Sequence, residues 1–556
     1  ANGVILITTK KGQDGKSTVS YDAYTAWSMT ANRHDLLNAK EFVEIANETK
    51  ENVGQAGWAH YDGTESDWQD AVYRTGFQQN HSVSMRGGNS KSQYYASFGY
   101  TDQDGIVISN SLRRYTLKAD ISTQATKWLK IGTSLSGSYA DLFGQGNGSN
   151  NLNGIGFSVV RMLPNTAIYD ENDPTGYNID DTVGKSSGRG CNDQPNSVSS
   201  ANSVWQLMAN KRQVNSTRLI GSAFAEITLM KGLTLKTQGG MDVNRVHNYS
   251  YSDAASGDGL GVQGSVDNTD QNFRNWNWQN TINYNNTFNE VHNVAATLLQ
   301  EYTYRDSQWT EGYVTGLSDS FFGDAIISNT YANQYVYGSK TYSGLASYMA
   351  RVNYNYDQKY YVGASIRRDG LSKLDKDNRW GTFWGVSGAW RISRENFWGE
   401  KLAWWAKDLR IRASYATLGN SALSSDFPYL GTYGAKAYGA QTGIAWTNMG
   451  NNNLKWETTE TYDLGLDGSL FGGKVSFELA YWVKNSKDLV MKVPTAPSMG
   501  VPSNYYYDNV GKVMNAGFEI TLGSDIISTK DFTWHADINF STLKNKVKSL
   551  ICQHKL

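Results

Sequence analysis

Residues Arg114–Thr123 of this 556-residue chain read RYTLKADIST. Tyr115, Leu117, Ala119 and Ile121 point to one side of an extended chain, because successive side chains of a β-strand alternate between its two faces. The residues between them are charged or carry a hydroxyl group. About ten residues is the length that a tilted strand needs to cross a bilayer. The stretch therefore predicts a membrane-crossing strand with one apolar and one polar face.

The same alternation recurs along the chain, and the connections between the runs alternate in length. Short turns join pairs of runs at 87–91, 230–232, 356–359 and 471–474. Long polar segments separate the pairs, at 141–215, 244–272, 303–341 and 418–456. Short turns on one side and long loops on the other are typical of an outer-membrane barrel, whereas such loops are uncommon in a compact soluble domain. The period-2 pattern predicts an all-β, antiparallel transmembrane barrel with about seventeen strands.

The composition agrees with a barrel and excludes other classes. The mean hydropathy is −0.53, and no run approaches the roughly 18 apolar residues of a membrane-spanning helix. Tyr and Trp are abundant at 35 and 18 residues, which suits strands and membrane interfaces, and the 7 prolines are few. A net charge of −1 leaves no basic excess for binding nucleic acid. Cys191 and Cys552 are far apart, and we expect no disulfide between them.

Several stretches resemble a known family in the same order along the chain. Ala1–Gly12 (ANGVILITTKKG), with Asn2 and Gly3, resembles the last plug-domain strand of SusC/RagA-type TonB-dependent outer-membrane transporters. Ser17–Ser28 follows it as the first barrel strand does in that family. The other residues that match are Arg367, Asp369, Gly370, Trp380, Trp456, Glu457 and Gly517.

The resemblance implies an architecture, partners and a location. Residues 1–12 are expected to end a plug domain, and 13–556 to form a barrel that lacks its C-terminal strands, since the family has 22. The chain opens without an initiator Met or a signal peptide, so we expect it to be a fragment. The family implies active import across the outer membrane, energised by TonB through an N-terminal segment that we expect to be absent. A SusD-like surface lipoprotein would act as a lid over an oligosaccharide or, second, an oligopeptide.

Two functions of other classes stay open at this stage. A passive porin or an adhesin barrel would share the strand pattern but would not carry a plug strand at Ala1–Lys10. A secreted, glycan-binding β-rich enzyme would need a pair of carboxylates in a cleft and would purify without detergent. Only the importer accounts for both the strands and the plug-like start.

Motifs for catalysis, cofactors and metals are weak in this sequence, and we predict none of the three. Gly468–Lys474 satisfies the P-loop spacing, but Val475 replaces the Ser or Thr that would reach Mg²⁺, so a hairpin turn is expected. Asp170–Gly176 hints at calcium but has Pro174 at a ligand position. Gly144–Gly148 lies in a long loop without a βαβ unit, which predicts a flexible loop.

Two further features bear on function. Asn38 and Glu41 predict a capped short helix within the first outer loop, and the indoles of Trp398, Trp404 and Trp405 are expected at the periplasmic membrane interface. Aromatic rings with polar neighbours suit sugars, which present C–H faces and hydroxyl groups. The candidates for substrate contact, all expected in outer loops, are Trp309, Tyr335, Tyr337, Trp446, Tyr505, Tyr506 and Tyr507.

Overall fold

A single large antiparallel sheet dominates the computed structural model. The structure describes residues 10, 12–144, 155–179, 188–193, 202–255, 257–317, 331–439 and 441–550. The first ten strands are β1 Gly15–Ser28, β2 Gly76–Gly88, β3 Ser92–Asp104, β4 Ser111–Gln124, β5 Leu129–Phe143, β6 Lys211–Met230, β7 Leu233–Ser252, β8 Ser265–Phe288, β9 His292–Leu317 and β10 Tyr331–Tyr356. The others are β11 Tyr360–Leu371, β12 Trp380–Arg391, β13 Ala406–Asn420, β14 Thr432–Ala435, β15 Ile444–Asn448, β16 Glu457–Leu470, β17 Val475–Pro494, β18 Tyr505–Ser528, β19 Thr533–Ser541 and β20 Lys544–Leu550.

Eighteen of these strands form the sheet, and β14 pairs only with β15 in a separate hairpin. From β1 to β13, consecutive strands pair antiparallel. β13 then pairs with β16, and consecutive strands pair again from β16 to β19. β19 and β20 both pair with β18, one along its second half and one along its first. They occupy one position across the sheet, so eighteen strands fill seventeen positions, which confirms the predicted count of about seventeen. Among the described residues, no ladder joins β1 to β19 or β20.

The two faces of the sheet have different chemistry. Leu117 is 53% exposed and lies opposite Phe98 of β3, which is 50% exposed. We call the face that carries Leu117 the outer face. Its apolar side chains continue on every strand as far as Phe518 and Phe540, because the registers keep them in cross-strand rows. Lys118 lies on the opposite, inner face, which confirms the predicted alternation.

The two sides of the sheet also differ in connection length, as predicted. On the turn side, Phe471–Gly473 forms the predicted hairpin turn between β16 and β17, within the segment that satisfies the P-loop spacing. On the loop side α1, Ala39–Glu51, begins after Asn38, whose side chain and that of Glu41 form the predicted capping box. The other helices are short: α2 Trp68–Val72, α3 Ile155–Ser158, α4 Ser203–Ala209 and α5 Gly399–Trp405. Within the described ranges, none of the helices is both long and apolar enough to cross a membrane.

Two clusters of buried apolar side chains pack the connections on the loop side against one another and against the strand ends. One cluster brings together Trp68, Val72, Val107, Val159, Met162, Val204 and Leu207 from three connections. A second cluster, which we call the loop cluster, contains Leu371, Leu374, Phe383, Leu454 and Trp456. Apolar contacts of this kind hold long connections in place, since the barrel wall itself needs no apolar interior.

Candidate functional site

The wall of the lumen carries a network of ion pairs on β13, β16 and β17. Arg412 is bonded to Asp463 at 2.9 Å, to Asp467 at 2.8 Å and to Glu478 at 2.6 Å. Arg410 shares Asp467 with it. All these side chains lie on the inner face, because Ile411 between the two arginines lies on the outer face. The spacing of two between Arg410 and Arg412 was the only sequence signal for this network, and we had not predicted it.

A second group on the inner face surrounds Arg367, one of the family-motif residues. Its guanidinium donates to the Asp369 carboxylate at 2.8 Å and to the Ser347 hydroxyl at 2.9 Å. It also lies 3.5 Å from the Glu301 carboxylate. Arg367 is therefore a structural tie between β9, β10 and β11 rather than a residue free to bind a ligand.

Three of the predicted aromatic contacts share one surface higher on the inner face. Tyr335 and Tyr337 of β10 stack on each other, with centroids 6.3 Å apart, and Tyr335 also stacks on Tyr313 of β9 at 6.1 Å. Trp309 lies on the same face of β9, four residues before Tyr313. Tyr335 and Tyr337 remain 43% and 49% exposed. We call these four residues the aromatic platform.

Two carboxylates and a hydroxyl group border the aromatic platform. Glu311 lies opposite Tyr337 and Thr269, and Asp267 lies opposite Tyr313. The Thr269 hydroxyl donates to Asp267 at 2.8 Å. The surface combines flat ring faces with hydrogen-bond acceptors, which is the chemistry that recognises a sugar or a peptide.

The prediction that these rings lie in loops was wrong. Trp309, Tyr335 and Tyr337 lie on strands, because β9 and β10 each extend for 26 residues. Trp309 comes seventeen residues after the start of β9, which is about 43 Å above the turn side at a rise of about 3.3 Å and a tilt of about 40°. The apolar band of such barrels is only about 25 Å tall, so the platform lies well outside the membrane. The polar composition of 244–272 and 303–341 had suggested loops, whereas most of these residues continue the strands.

The remaining candidates gather elsewhere on the loop side. Tyr505, Tyr506 and Tyr507 begin β18, and the Tyr505 and Tyr507 rings meet edge to face at 5.7 Å. Tyr507 packs on the loop cluster, and its carbonyl accepts from Asn451 at 3.0 Å, so its role is structural. Trp446 lies on β15, opposite Tyr433 in the exposed hairpin. The predicted residues thus form two groups rather than one site.

The other family-motif residues hold the structure. The Trp456 indole donates to the Arg379 carbonyl at 2.8 Å, and Glu457 accepts from Asn420 and from the Val490 amide. A Cβ at Gly370 would lie 2.9 Å from the Trp380 ring. A Cβ at Gly517 would collide with the Thr542 carbonyl, at the break between β19 and β20. Asn2 and Gly3 lie outside the described residues.

One ion pair fixes the connection between β13 and β16. Lys373 lies 2.9 Å from Asp426, which also accepts from the Thr341 hydroxyl at 2.6 Å. Burial raises the pKa of the Asp426 carboxyl, but the hydrogen bonds from Thr341 and Lys373 outweigh it and set the pKa below its usual range. The carboxylate is thus charged at neutral pH and holds the connection against β10.

The calcium-like turn at Asp170–Gly176 and the Cys191 thiol, both among the described residues, have structural surroundings. Asp170 and Asp173 accept hydrogen bonds from residues of their own turn, at Asn172 and Thr175. Burial raises the pKa of the Cys191 thiol and the Asp62 charge adds to the rise, so the thiol stays protonated. Within the described ranges, no three His, Cys, Asp or Glu side chains are grouped to hold a metal ion. Cys552 and residues 145–148 of the glycine-rich loop are not among those ranges.

Comparison with known proteins identifies the family. Residues 203–549, more than half of the chain, match the family model described as "TonB dependent receptor-like, beta-barrel". The chain belongs to this family. It is a TonB-dependent receptor barrel of the SusC/RagA type, as predicted, and its place is the outer membrane. Proteins of this family are transporters rather than enzymes.

The relatives cover nearly all of this chain and are longer than it. TonB-dependent receptor P3 of Formosa agariphila is 30% identical over 99% of the chain, and TonB-dependent receptor SusC of Bacteroides thetaiotaomicron is 27% identical over 99%. These alignments cover 53% and 55% of the two relatives, so the chain spans about half of their length. A structure of the RagAB peptide transporter has a TM-score of 0.81 at 22% identity, covering 98% of this chain and 62% of that one. It shows that the fold is shared.

Proposed function

We propose that the protein that contains this chain imports oligosaccharides across the outer membrane, driven through TonB and assisted by a SusD-like surface lipoprotein. The observation that carries the substrate class is the aromatic platform, whose stacked rings face the lumen about 43 Å above the turn side. A sugar can lay its C–H face on such rings, and its hydroxyl groups can donate to Glu311 and Asp267. A nutrient captured there would be held above the membrane before passage.

The first described residues support the proposal that 1–12 end a plug domain and that 13–556 belong to the barrel. The Lys10 carbonyl lies 3.4 Å from Lys118 Nζ, which is on the inner face of β4. A Cβ at Gly12 would collide with the backbone of Tyr94 on β3. The segment before β1 therefore runs against the inner wall, where a plug would be placed. A porin or an adhesin would not need such a segment.

The test replaces the platform in the full-length protein. Tyr335→Ala with Tyr337→Ala should weaken binding of the cognate glycan by about 30-fold, because each of the two stacked rings contributes on the order of 1 kcal/mol. Val336→Ala is the matched control, since Val336 lies between them on the opposite face and is 79% exposed. Calorimetric titration against a panel of neutral oligosaccharides measures the change. If glycan binding is unchanged in the double variant, the platform is not the substrate surface.

A second experiment separates active import from a passive pore. Growth on the cognate glycan should be lost when TonB is deleted, because the plug has to be moved to open the lumen. Uptake that continues without TonB would favour a porin.

An oligopeptide is the second candidate substrate. RagAB, whose structure has this fold, is a peptide transporter. Asp267 and Glu311 could also accept hydrogen bonds from the ammonium groups of a peptide. A panel of oligopeptides in the same titration distinguishes the two classes, because only one of them should lose affinity in the double variant.

A further inference from the structure

A groove of about 490 Å³ lies on the outer face of the barrel, across β7 to β11. Its floor is a cross-strand row formed by Leu235, Ile282, Leu298, Ala350 and Ile366. The row lies on the outer face because its residues share the strand parity of Leu117 through every register. The small side chain of Ala350 lies between Leu298 and Ile366, which are 54% and 51% exposed, and this difference in size makes the groove.

The next row toward the loop side is polar, which is unusual for a surface that faces lipid. It consists of Asn280, Gln300, Tyr348 and Arg368 in adjacent register positions. Asn280 donates to Gln300 at 2.7 Å. Arg368 is exposed and lies 5.6 Å from the centre of the Trp380 ring, which itself stacks on Tyr348 at 6.3 Å. Among the described residues, no carboxylate forms an ion pair with Arg368.

The height of the polar row places it near the outer surface of the membrane. Arg368 comes eight residues after Tyr360, which begins β11 on the turn side. At a rise of about 3.3 Å and a tilt of about 40° this is about 20 Å, so the row lies near the upper limit of a band about 25 Å tall. Tyr360 and Tyr356 stack on each other at the lower limit. The apolar row then lies at the depth of acyl chains. The Arg368 guanidinium extends to Trp380, which pairs with Gly370 one row higher, and so reaches the depth of the headgroups.

We propose that this groove binds one lipid of the outer leaflet whose phosphate headgroup carries a net negative charge. An acyl chain lies on Leu298, Ala350 and Ile366, and the lipid phosphate accepts hydrogen bonds from the Arg368 guanidinium. The fixed fork of an arginine matches a phosphate, and Trp380 holds the guanidinium in place. The unpaired cation directly above an apolar groove is what selects an anionic lipid over a neutral one. This site does not depend on the proposed substrate.

Native mass spectrometry of the detergent-purified full-length protein tests the proposal, with phosphatidylglycerol and phosphatidylcholine of the same acyl chains as probes. The wild type should retain one phosphatidylglycerol per chain, with at least tenfold preference over phosphatidylcholine. Arg368→Gln should remove that preference, and Ala350→Leu, which fills the groove, should reduce retention of both lipids. Arg274→Gln is the matched control, because Arg274 lies on the same face three rows higher and is bonded to Asp306.

The outcomes separate a lipid site from simpler explanations. If the wild type retains both lipids equally, or if Arg368→Gln keeps the preference, the proposal is wrong. Inorganic phosphate should not displace phosphatidylglycerol, since it lacks the acyl chain, and displacement would show an anion site without a groove. Each variant is first checked for heat-modifiable mobility in gels, which shows that the barrel has assembled.

Discussion

Replacing Leu117 with Arg tests the assignment of the two faces directly. Leu117 lies midway along β4, seven residues before its end at Gln124, or about 18 Å above the turn side. This is inside an apolar band about 25 Å tall, about 5 Å above its middle. A charged side chain facing lipid costs about 2–4 kcal/mol at the midplane and about 0–1 kcal/mol near the interfaces. At this height we expect about 2 kcal/mol, which lowers the folding equilibrium constant roughly 30-fold.

The neighbouring change Lys118→Glu introduces a charge of the opposite sign on the other face. Lys118 Nζ contacts the Lys10 carbonyl at 3.4 Å and lies 5.5 Å from the centre of the Tyr95 ring. Losing these weak contacts should cost about 1 kcal/mol, because the new carboxylate stays in a watery lumen. We therefore expect Leu117→Arg to impair assembly of the full-length protein and Lys118→Glu to be tolerated.

The measurement is the folded fraction after refolding into lipid vesicles across a urea series, read from heat-modifiable gel mobility. Leu117→Ala separates the loss of the leucine side chain from the gain of a charge and should lie between wild type and Leu117→Arg. Equal destabilisation by Leu117→Arg and Lys118→Glu would refute the assignment of outer and inner faces.

Three further predictions concern the loops and the edges of the sheet. Asp426→Asn should lower the protection of 421–456 against hydrogen exchange, measured relative to the intrinsic rate at each pH. Lowering the pH should do the same, because a carboxyl with a depressed pKa stabilises the fold above its ordinary pKa and loses this as the pH falls through the folded value. Exposed Asp377→Asn is the control, and unchanged protection in Asp426→Asn would contradict the structural role of the Lys373–Asp426 ion pair. Tyr507→Ala should speed hydrogen exchange in the loop cluster, on which this ring packs, and should leave glycan affinity unchanged. Tyr505→Ala should leave hydrogen exchange there unchanged, and mass spectrometry measures both rates. Residues 1–556 expressed alone should aggregate or be degraded, since the edges of β1 and of β19 with β20 stay unpaired and each unmet backbone group costs several kcal/mol in hydrocarbon; recovery of a protease-resistant, heat-modifiable barrel would contradict this.

The alternation of apolar and polar residues was enough to predict the class of fold. The side chains of RYTLKADIST divide between two faces independently of the rest of the chain, because successive side chains of any β-strand point to opposite sides. The capping box at Asn38 and Glu41 and the hairpin turn at 471–473 were likewise predictable, since both depend on neighbours within a few residues.

Tertiary structure alone decided where the strands end and which side chains meet. β9 and β10 continue for 26 residues because each supplies the backbone partners of the other, which the polar composition of 303–341 concealed. Arg412 meets Asp463, Asp467 and Glu478 only because the registers of β13, β16 and β17 align them across 51 to 66 residues of sequence. The groove above Ala350 similarly needs five strands in register. The alternation of apolar and polar residues within one strand specifies the face on which each side chain lies. The neighbours of that side chain on the same face depend on the register between strands that are distant in sequence.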